Sequence, residues 1–182
     1  MVNKELKNSL TKKMKINIDT ITRASEELIG NIIRTPTIRS QHLSSEINGE
    51  VFLKLENLQY TSSFKVRGAY TSITRLKEEQ KKMGVIAMSA GNHAQAVAWW
   101  AKKERVNATI VMPEHAPLFK VMKTKSLGAD VILRGRTLNE SQTYVSELAN
   151  DKKLTLIHPY DDSNVVIGPV SYTHLRAHET SR

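Results

Sequence analysis

Lys65 stands where a cation is unwelcome, in the segment TSSFKVRGAY (Thr61 to Tyr70). Ser62 and Ser63 are candidate N-caps, which places Lys65 and Arg67 in the first turn of a helix read over Phe64 to Met83. The helix dipole disfavours positive charge at that end by about 0.3–1 kcal/mol and so pushes the lysine toward its neutral amine. A neutral amine is a nucleophile, suited to a Schiff base with an aldehyde cofactor and then to moving a proton. Taken alone, such a lysine is an ordinary cation snorkelling to solvent, and a second segment is what changes that reading.

That segment is MSAGNHAQAVA (Met88 to Ala98), between a strand ending at Met88 and a helix beginning near Asn92. Gly91 permits a tight turn, and successive backbone N–H groups at a strand-to-helix turn make an anion site at the carboxyl edge of a parallel sheet. A carboxylate fits there. Ser89 and Asn92 can cap the helix or reach a ligand, and a single histidine such as His93 is more often a surface or packed side chain than a catalyst. No second histidine or carboxylate stands at ligand spacing, so no metal is expected. The chain has no cysteine, which excludes disulfides, thiolate metal sites and a cysteine nucleophile.

The elements that must position these residues follow from periodicity. Strands are expected at residues 51–56, 85–88, 108–112, 130–133 and 154–158, where β-branched residues concentrate. Amphipathic stretches over residues 18–29, 64–83, 92–105, 117–127 and 137–150 read as helices, several closed by a glycine. On the third of these, Ala94, Val97, Ala98 and Ala101 form a core stripe. The alternation is that of β-α units with a parallel sheet, in a chain whose 182 residues suit about one domain or part of a larger protein. HPYDD (His158 to Asp162) reads as a turn after the last strand. The first fifteen residues look frayed.

Charge narrows the partners. Lys+Arg outnumber Asp+Glu by 27 to 18, yet Lys81, Lys82, Lys102 and Lys103 lie where helix C-termini fall and complement the dipole. No basic stretch is interleaved with aromatics, so nucleic acid is not an expected partner. The longest apolar run, Ala96 to Ala101, falls far short of the ~20 residues of a membrane helix, and the first residues lack a secretory signal, so a cytoplasmic enzyme without a membrane partner is expected. After Gly168 the β-α rhythm stops. Residues 170–180, VSYTHLRAHET, resemble one reading frame of a sequencing-library transposon adapter, so residues 169–182 are read as a non-native tail outside the fold.

Together, SFKVRGA (residues 63–69) and SAGNHAQ (residues 89–95) resemble the threonine dehydratases of the pyridoxal-phosphate fold type II group. LKLENLQ, VMPEHAP, GADVIL and HPYDDSNVVIG extend the likeness over about residues 18–168. The resemblance implies a two-lobed α/β fold with parallel sheets and flanking helices, here truncated. Residues 1–76 would belong to the larger lobe, residues 77–156 would form the smaller one, and residues 157–168 would return to the larger. It implies pyridoxal 5'-phosphate held by Lys65, with Asn92 on the phenolic oxygen and Phe64 among the cofactor contacts. Ser89, Ala90, Gly91, Asn92 and His93 would clasp the substrate carboxylate. The freed Lys65 amine would remove the α-proton, the β-hydroxyl would leave, and L-threonine, or L-serine, would end as a 2-oxo acid and ammonia. This belongs to amino-acid metabolism, isoleucine biosynthesis included, and implies a homo-oligomer when full-length.

Departures from the group matter too. Ala96 and Ser62 stand where glycine is frequent. Ala90 stands where serine racemases carry a serine that acts as the second base, which disfavours racemisation. The glycine-rich phosphate loop of the group is missing, since the eight glycines never cluster. Negligible turnover by these residues alone is therefore expected. Two other readings are a related serine dehydratase or racemase and a non-catalytic α/β module that binds an anion at residues 89–93, with Lys65 a surface cation.

Overall fold

The first helix, α1 (Ile18–Leu28), is fixed at its start by chemistry local to the sequence. Asn17 Oδ1 accepts the Thr20 N–H at 2.9 Å, and Thr20 Oγ1 accepts the Asn17 N–H at 3.0 Å. The structure is a computed structural model that describes residues 16–179, with side chains as far as Tyr172. The fifteen residues read as frayed lie outside it.

Strands β1 (Thr37–Arg39) and β2 (Phe52–Lys54) flank the short helix α2 (Gln41–Glu46) and pair antiparallel. The strand expected over residues 51–56 thus forms over three residues and does not join the parallel sheet. Glu56 leaves it for a 3-10 turn, Glu56–Leu58, because its carboxylate is drawn inward by the buried partners described below. The single helix expected over residues 64–83 is two, α3 (Lys65–Thr74) and α4 (Glu78–Met83). The Lys77 N–H donates to Gln80 Oε1 at 3.0 Å, and Glu78 and Glu79 supply an acidic first turn, so a new helix starts there.

Strands β3 (Val85–Met88), β4 (Ala108–Met112), β5 (Asp130–Leu133) and β6 (Thr155–Leu156) form one parallel sheet in the order β5-β4-β3-β6. Three helices, α5 (Asn92–Lys103), α6 (Leu118–Ser126) and α7 (Leu138–Asp151), make the crossovers. The alternation of side chains along each strand divides the core. Val85, Ala87, Ala108 and Ile110 pack with the α5 stripe Ala94, Val97, Ala98 and Ala101, whereas Ile86 and Val111 pack with Val145 of α7. Both faces are therefore covered, as a parallel sheet requires. Lys81, Lys82, Lys102 and Lys103 lie in last turns of helices, as the sequence suggested.

The final described helix, α8 (Ser163–Glu179), runs through residues that the sequence reading set aside as a tail, with Pro169 inside it. Proline has no N–H for the carbonyl four residues earlier. That carbonyl, of Val165, is the atom that a Cβ on Gly68 of α3 would strike. A Cβ on Gly168 would in turn lie 2.5 Å from the Arg67 carbonyl oxygen. The two helices cross backbone to backbone, and Thr71 Oγ1 donates to the Asn164 carbonyl at 2.6 Å beside the crossing. Among the described residues no helix is long and apolar enough to cross a membrane.

Candidate active site

All four strands of the parallel sheet end on one edge, and β3 and β6 are neighbours there. The turn after β3 carries residues 89–91, and the segment after β6 carries residues 157–160. Lys65, at the start of α3, reaches the same edge: its Nζ donates to the Pro159 carbonyl at 2.8 Å. His93 Nε2 lies 3.0 Å from the Ile157 carbonyl. The two segments that the sequence singled out are thus tied to one stretch of main chain between them.

Lys65 is half-buried, and desolvation pulls its amine below the ordinary lysine range. The direction is the one expected, but its cause is burial. The N-cap of α3 is Phe64, without a side-chain cap, so Ser62 and Ser63 do not cap the helix. Ser62 is held at φ +55° by its N–H, which donates to the Gln59 carbonyl at 2.8 Å; this left-handed backbone is one that glycine adopts more readily than serine. The twist turns the Thr61 and Ser63 hydroxyls inward, both buried and without a hydrogen-bond partner among the described residues. The Phe64 ring is 39% exposed, its centroid 5.4 Å from Lys65 Nζ.

Two residues on, Arg67 is buried and forks onto Glu56, with Nε and Nη2 each 2.8 Å from a carboxylate oxygen. Thr35 Oγ1 donates to the same carboxylate at 2.7 Å. Burial opposes ionisation of Glu56, but hydrogen bonds from Arg67 and Thr35 and the Arg67 charge together hold it below the usual carboxylate range. This pair ties the first turn of α3 to Glu56 and Thr35. Sequence reading missed it, since Arg67 looked only like a second misplaced cation.

At the turn, the Ser89 N–H donates to the Val111 carbonyl at 3.1 Å, and Ser89 Oγ accepts the Gly91 N–H at 3.1 Å. Gly91, the N-cap of α5, has φ −134°, so no left-handed backbone is needed there. A Cβ on Gly91 would meet only Ser89 Oγ, 4.0 Å away. The glycine leaves open space above the turn. Ala90 is half-buried against the core, and Asn92 is exposed at the first helical position. No side chain caps α5, and the Ala90, Asn92 and His93 amides have no backbone acceptor among the described residues. Three open donors at a helix start can receive an anion, a carboxylate among them.

The His93 side chain does not share in that role. Its ring is buried, and desolvation pushes its pKa down to about 4 against the partial opposition of the Ile157 carbonyl. Since a carbonyl only accepts, Nε2 carries the proton and the ring is neutral. His93 is a packing histidine that offers the site its amide alone. The segment it grips was read as a plain turn, and it is one, but a working one. His158 Nδ1 accepts the Asp161 N–H at 2.8 Å, and Asp162 Oδ1 accepts the Asn164 N–H at 2.8 Å, so HPYDD both closes the loop and caps α8.

These residues fit the aldehyde end of a pyridoxal-type cofactor. The amine is partly desolvated, and a buried hydroxyl, Ser63, stands partnerless two residues away. Two cavities lie elsewhere. One of about 580 Å³ is lined by Arg39 and Glu50, another of about 370 Å³ by Arg134 and Glu140, and Lys65 lines neither. Chemistry, more than hollow volume, distinguishes the Lys65 edge.

A family model described as pyridoxal-phosphate dependent enzyme matches residues 28–180. Among curated relatives, proteins named L-threonine dehydratase catabolic TdcB from Staphylococcus aureus strains USA300 and bovine RF122 are 51% and 50% identical over 154 residues. Each alignment covers 84% of this chain and 44% of the relative, so the chain spans less than half the length of the curated relatives it matches. Among solved structures, threonine deaminase isoform 2 from Solanum lycopersicum matches with a TM-score of 0.82 at 32% identity, covering 93% of this chain and 48% of that one. Serine racemase from Dictyostelium discoideum matches with a TM-score of 0.82 at 32% identity, covering 90% of this chain and 53% of that one.

Proposed function

Because the chain belongs to the pyridoxal-phosphate dependent enzymes, we propose that it is the lysine-bearing part of an ammonia-lyase that converts L-threonine, and L-serine beside it, to a 2-oxo acid and ammonia. The observation that carries this reading is the half-buried Lys65 amine held at the same sheet edge as the open amides of Ala90, Asn92 and His93. The identity with proteins named threonine dehydratase supports the substrate class.

The bound cofactor would supply a sink for the electron pair left when the α C–H bond breaks. Everything else falls to side chains and amides of this chain. Lys65 Nζ would hold the cofactor at its aldehyde carbon and, when the substrate amine takes its place there, would take the α-proton. Its depressed basicity keeps a larger share of the amine free at neutral pH. The amides of Ala90, Asn92 and His93 hold the substrate carboxylate, so that the α-hydrogen faces Nζ, and Ser89 fixes the turn through Gly91. The exposed Asn92 amide and the Phe64 ring would contact the cofactor. The glycine-rich phosphate loop is not among these residues, and the 182 residues alone are proposed to turn over negligibly.

Residues 77–156, which contain the whole parallel sheet, would be the smaller lobe, residues 1–76 and 157–168 parts of the larger, and residues 169–182 a non-native tail. Degradation is favoured over isoleucine biosynthesis, because the matched relatives carry "catabolic" in their names. A cytoplasmic homo-oligomer is the proposed setting. Racemisation is the lesser reading: serine racemases match in fold, but the Ala90 methyl cannot exchange a proton.

The test is reductive trapping. Pyridoxal phosphate is supplied to the full-length gene product that carries these residues, the imine is reduced with borohydride, and the modified peptide is mapped. Modification at Lys65 is expected, and attachment at another lysine, or none, overturns the reading in favour of an anion-binding module.

A further inference from the structure

One turn of α5, from Trp99 to Lys103, grips the lysine-bearing segment on both sides of Lys65. Upstream, the Tyr60 ring stacks on Trp99 with centroids 5.3 Å apart. Downstream, Trp100 Nε1 donates to the carbonyl of Val66 at 2.8 Å, and its ring meets Tyr70 edge-on at 4.7 Å. Lys103 Nζ lies 5.3, 5.2 and 5.4 Å from the ring centroids of Tyr60, Trp99 and Trp100, closing the group with cation–π contacts. Trp100 is 3% exposed, so its hydrogen bond is shielded from water.

We propose that Trp100, backed by Trp99 and Lys103, is a positioning residue that sets the spacing between the Lys65 amine and the anion-binding turn. The inference rests on the role proposed above for Lys65. A helix is a stiff rod rising about 1.5 Å per residue, so Trp100 stands about 12 Å along α5 from Asn92 at the open end. Fastening the rod to the Val66 carbonyl, one residue from Lys65, fixes how far the rod's start lies from the amine. Residue 66 is in the first turn of α3, so a shift there is passed to Lys65 with no intervening joint.

The experiment is Trp100→Phe in the full-length gene product, which keeps an aromatic ring and removes the donor. Competitive acetylation of Lys65 over a pH series, read by mass spectrometry against exposed Lys153, separates the amine's basicity, seen in the midpoint of the profile, from its access to reagent, seen in the high-pH plateau. Losing a shielded hydrogen bond should move the midpoint up toward that of Lys153, with the free-amine fraction near neutral pH falling about three- to tenfold, as the amine swings outward and regains ordinary basicity. Lys103→Met, on the surface, should lower that fraction about twofold with the fold intact. It decides the matter if Trp100→Phe fails to fold. An unchanged Lys65 midpoint in a folded Trp100→Phe protein, or in Lys103→Met where the first variant does not fold, overturns the proposal. Trapping of pyridoxal phosphate at another lysine of the unaltered protein would instead remove the functional reading, and the labelling comparison needs no cofactor.

Discussion

Two strands of one sheet run into helices at the same edge, with opposite outcomes. Where β5 meets α7, Thr137 Oγ1 accepts the Glu140 N–H at 3.2 Å and Glu140 Oε2 accepts the Arg136 N–H at 2.9 Å, so the run RTLNE satisfies two of its donors with its own side chains. Where β3 meets α5, Gly91 has no side chain to offer, Ser89 spends its hydroxyl on the Gly91 amide, and the next donors stay open. The backbone problem is the same in both places. A few side chains decide whether the end of a helix is closed for stability or left able to receive an anion.

The sharpest way to extend the comparison is at α3, whose start also lacks a side-chain cap and depends on the buried Glu56–Arg67 pair. Arg67→Met leaves Glu56 buried without its partner and should cost about 3–5 kcal/mol, read by urea denaturation. A cost under about 1 kcal/mol would mean that the pair does not anchor this helix. Next is the pH response of the neutral histidine behind the open turn. With a folded pKa of about 4 against an ordinary value of 6.5, His93 binds its proton more readily in the unfolded chain. Stability is therefore full above pH 6.5 and is lost as pH falls toward 4, by about 2 kcal/mol between pH 7 and pH 5. His93→Gln should flatten that slope in denaturation series at the two pH values.

The two helix starts can then be set directly against each other. In the full-length gene product, Asn92→Asp puts a negative charge at the open end and should raise KM for the amino acid about tenfold without lowering the melting temperature, since the dipole welcomes the charge while the substrate carboxylate does not. Thr137→Ala should do the reverse, removing about 1 kcal/mol of stability and leaving KM as it was. If both variants alter KM alike, the division between closed and open ends fails.

Much of this site was legible in residue types. Three of the four parallel strands appear at their expected bounds, and the two central ones are the unbroken runs VIAM and ATIVM that a sheet covered on both faces needs. Lys65 and the Ser89–His93 turn stand out as candidates because their side chains or glycine are chemically conspicuous, and the structure brings both to one sheet edge. Other parts were hidden for physical reasons. The short TIR strand carries too few residues to show alternation, so its pairing with β2 could not be foreseen. Ser62 and Ser63 matched a capping pattern, but a left-handed Ser62 turns them away from the helix. Most instructive are Ile157 and Pro159, which meet His93 and Lys65 through carbonyl oxygens. A main-chain atom is common to every residue and leaves no signature in a sequence.

The glycine crossing between α3 and α8 has its own corollary. With main chain and only the short Thr71 side chain at the contact, no long flexible side chain is available there to absorb a disturbance, and a shift at Gly168 would be carried along α3 toward Lys65. A single methyl added at residue 168 would be felt as a change in reach at a residue far away along the polypeptide.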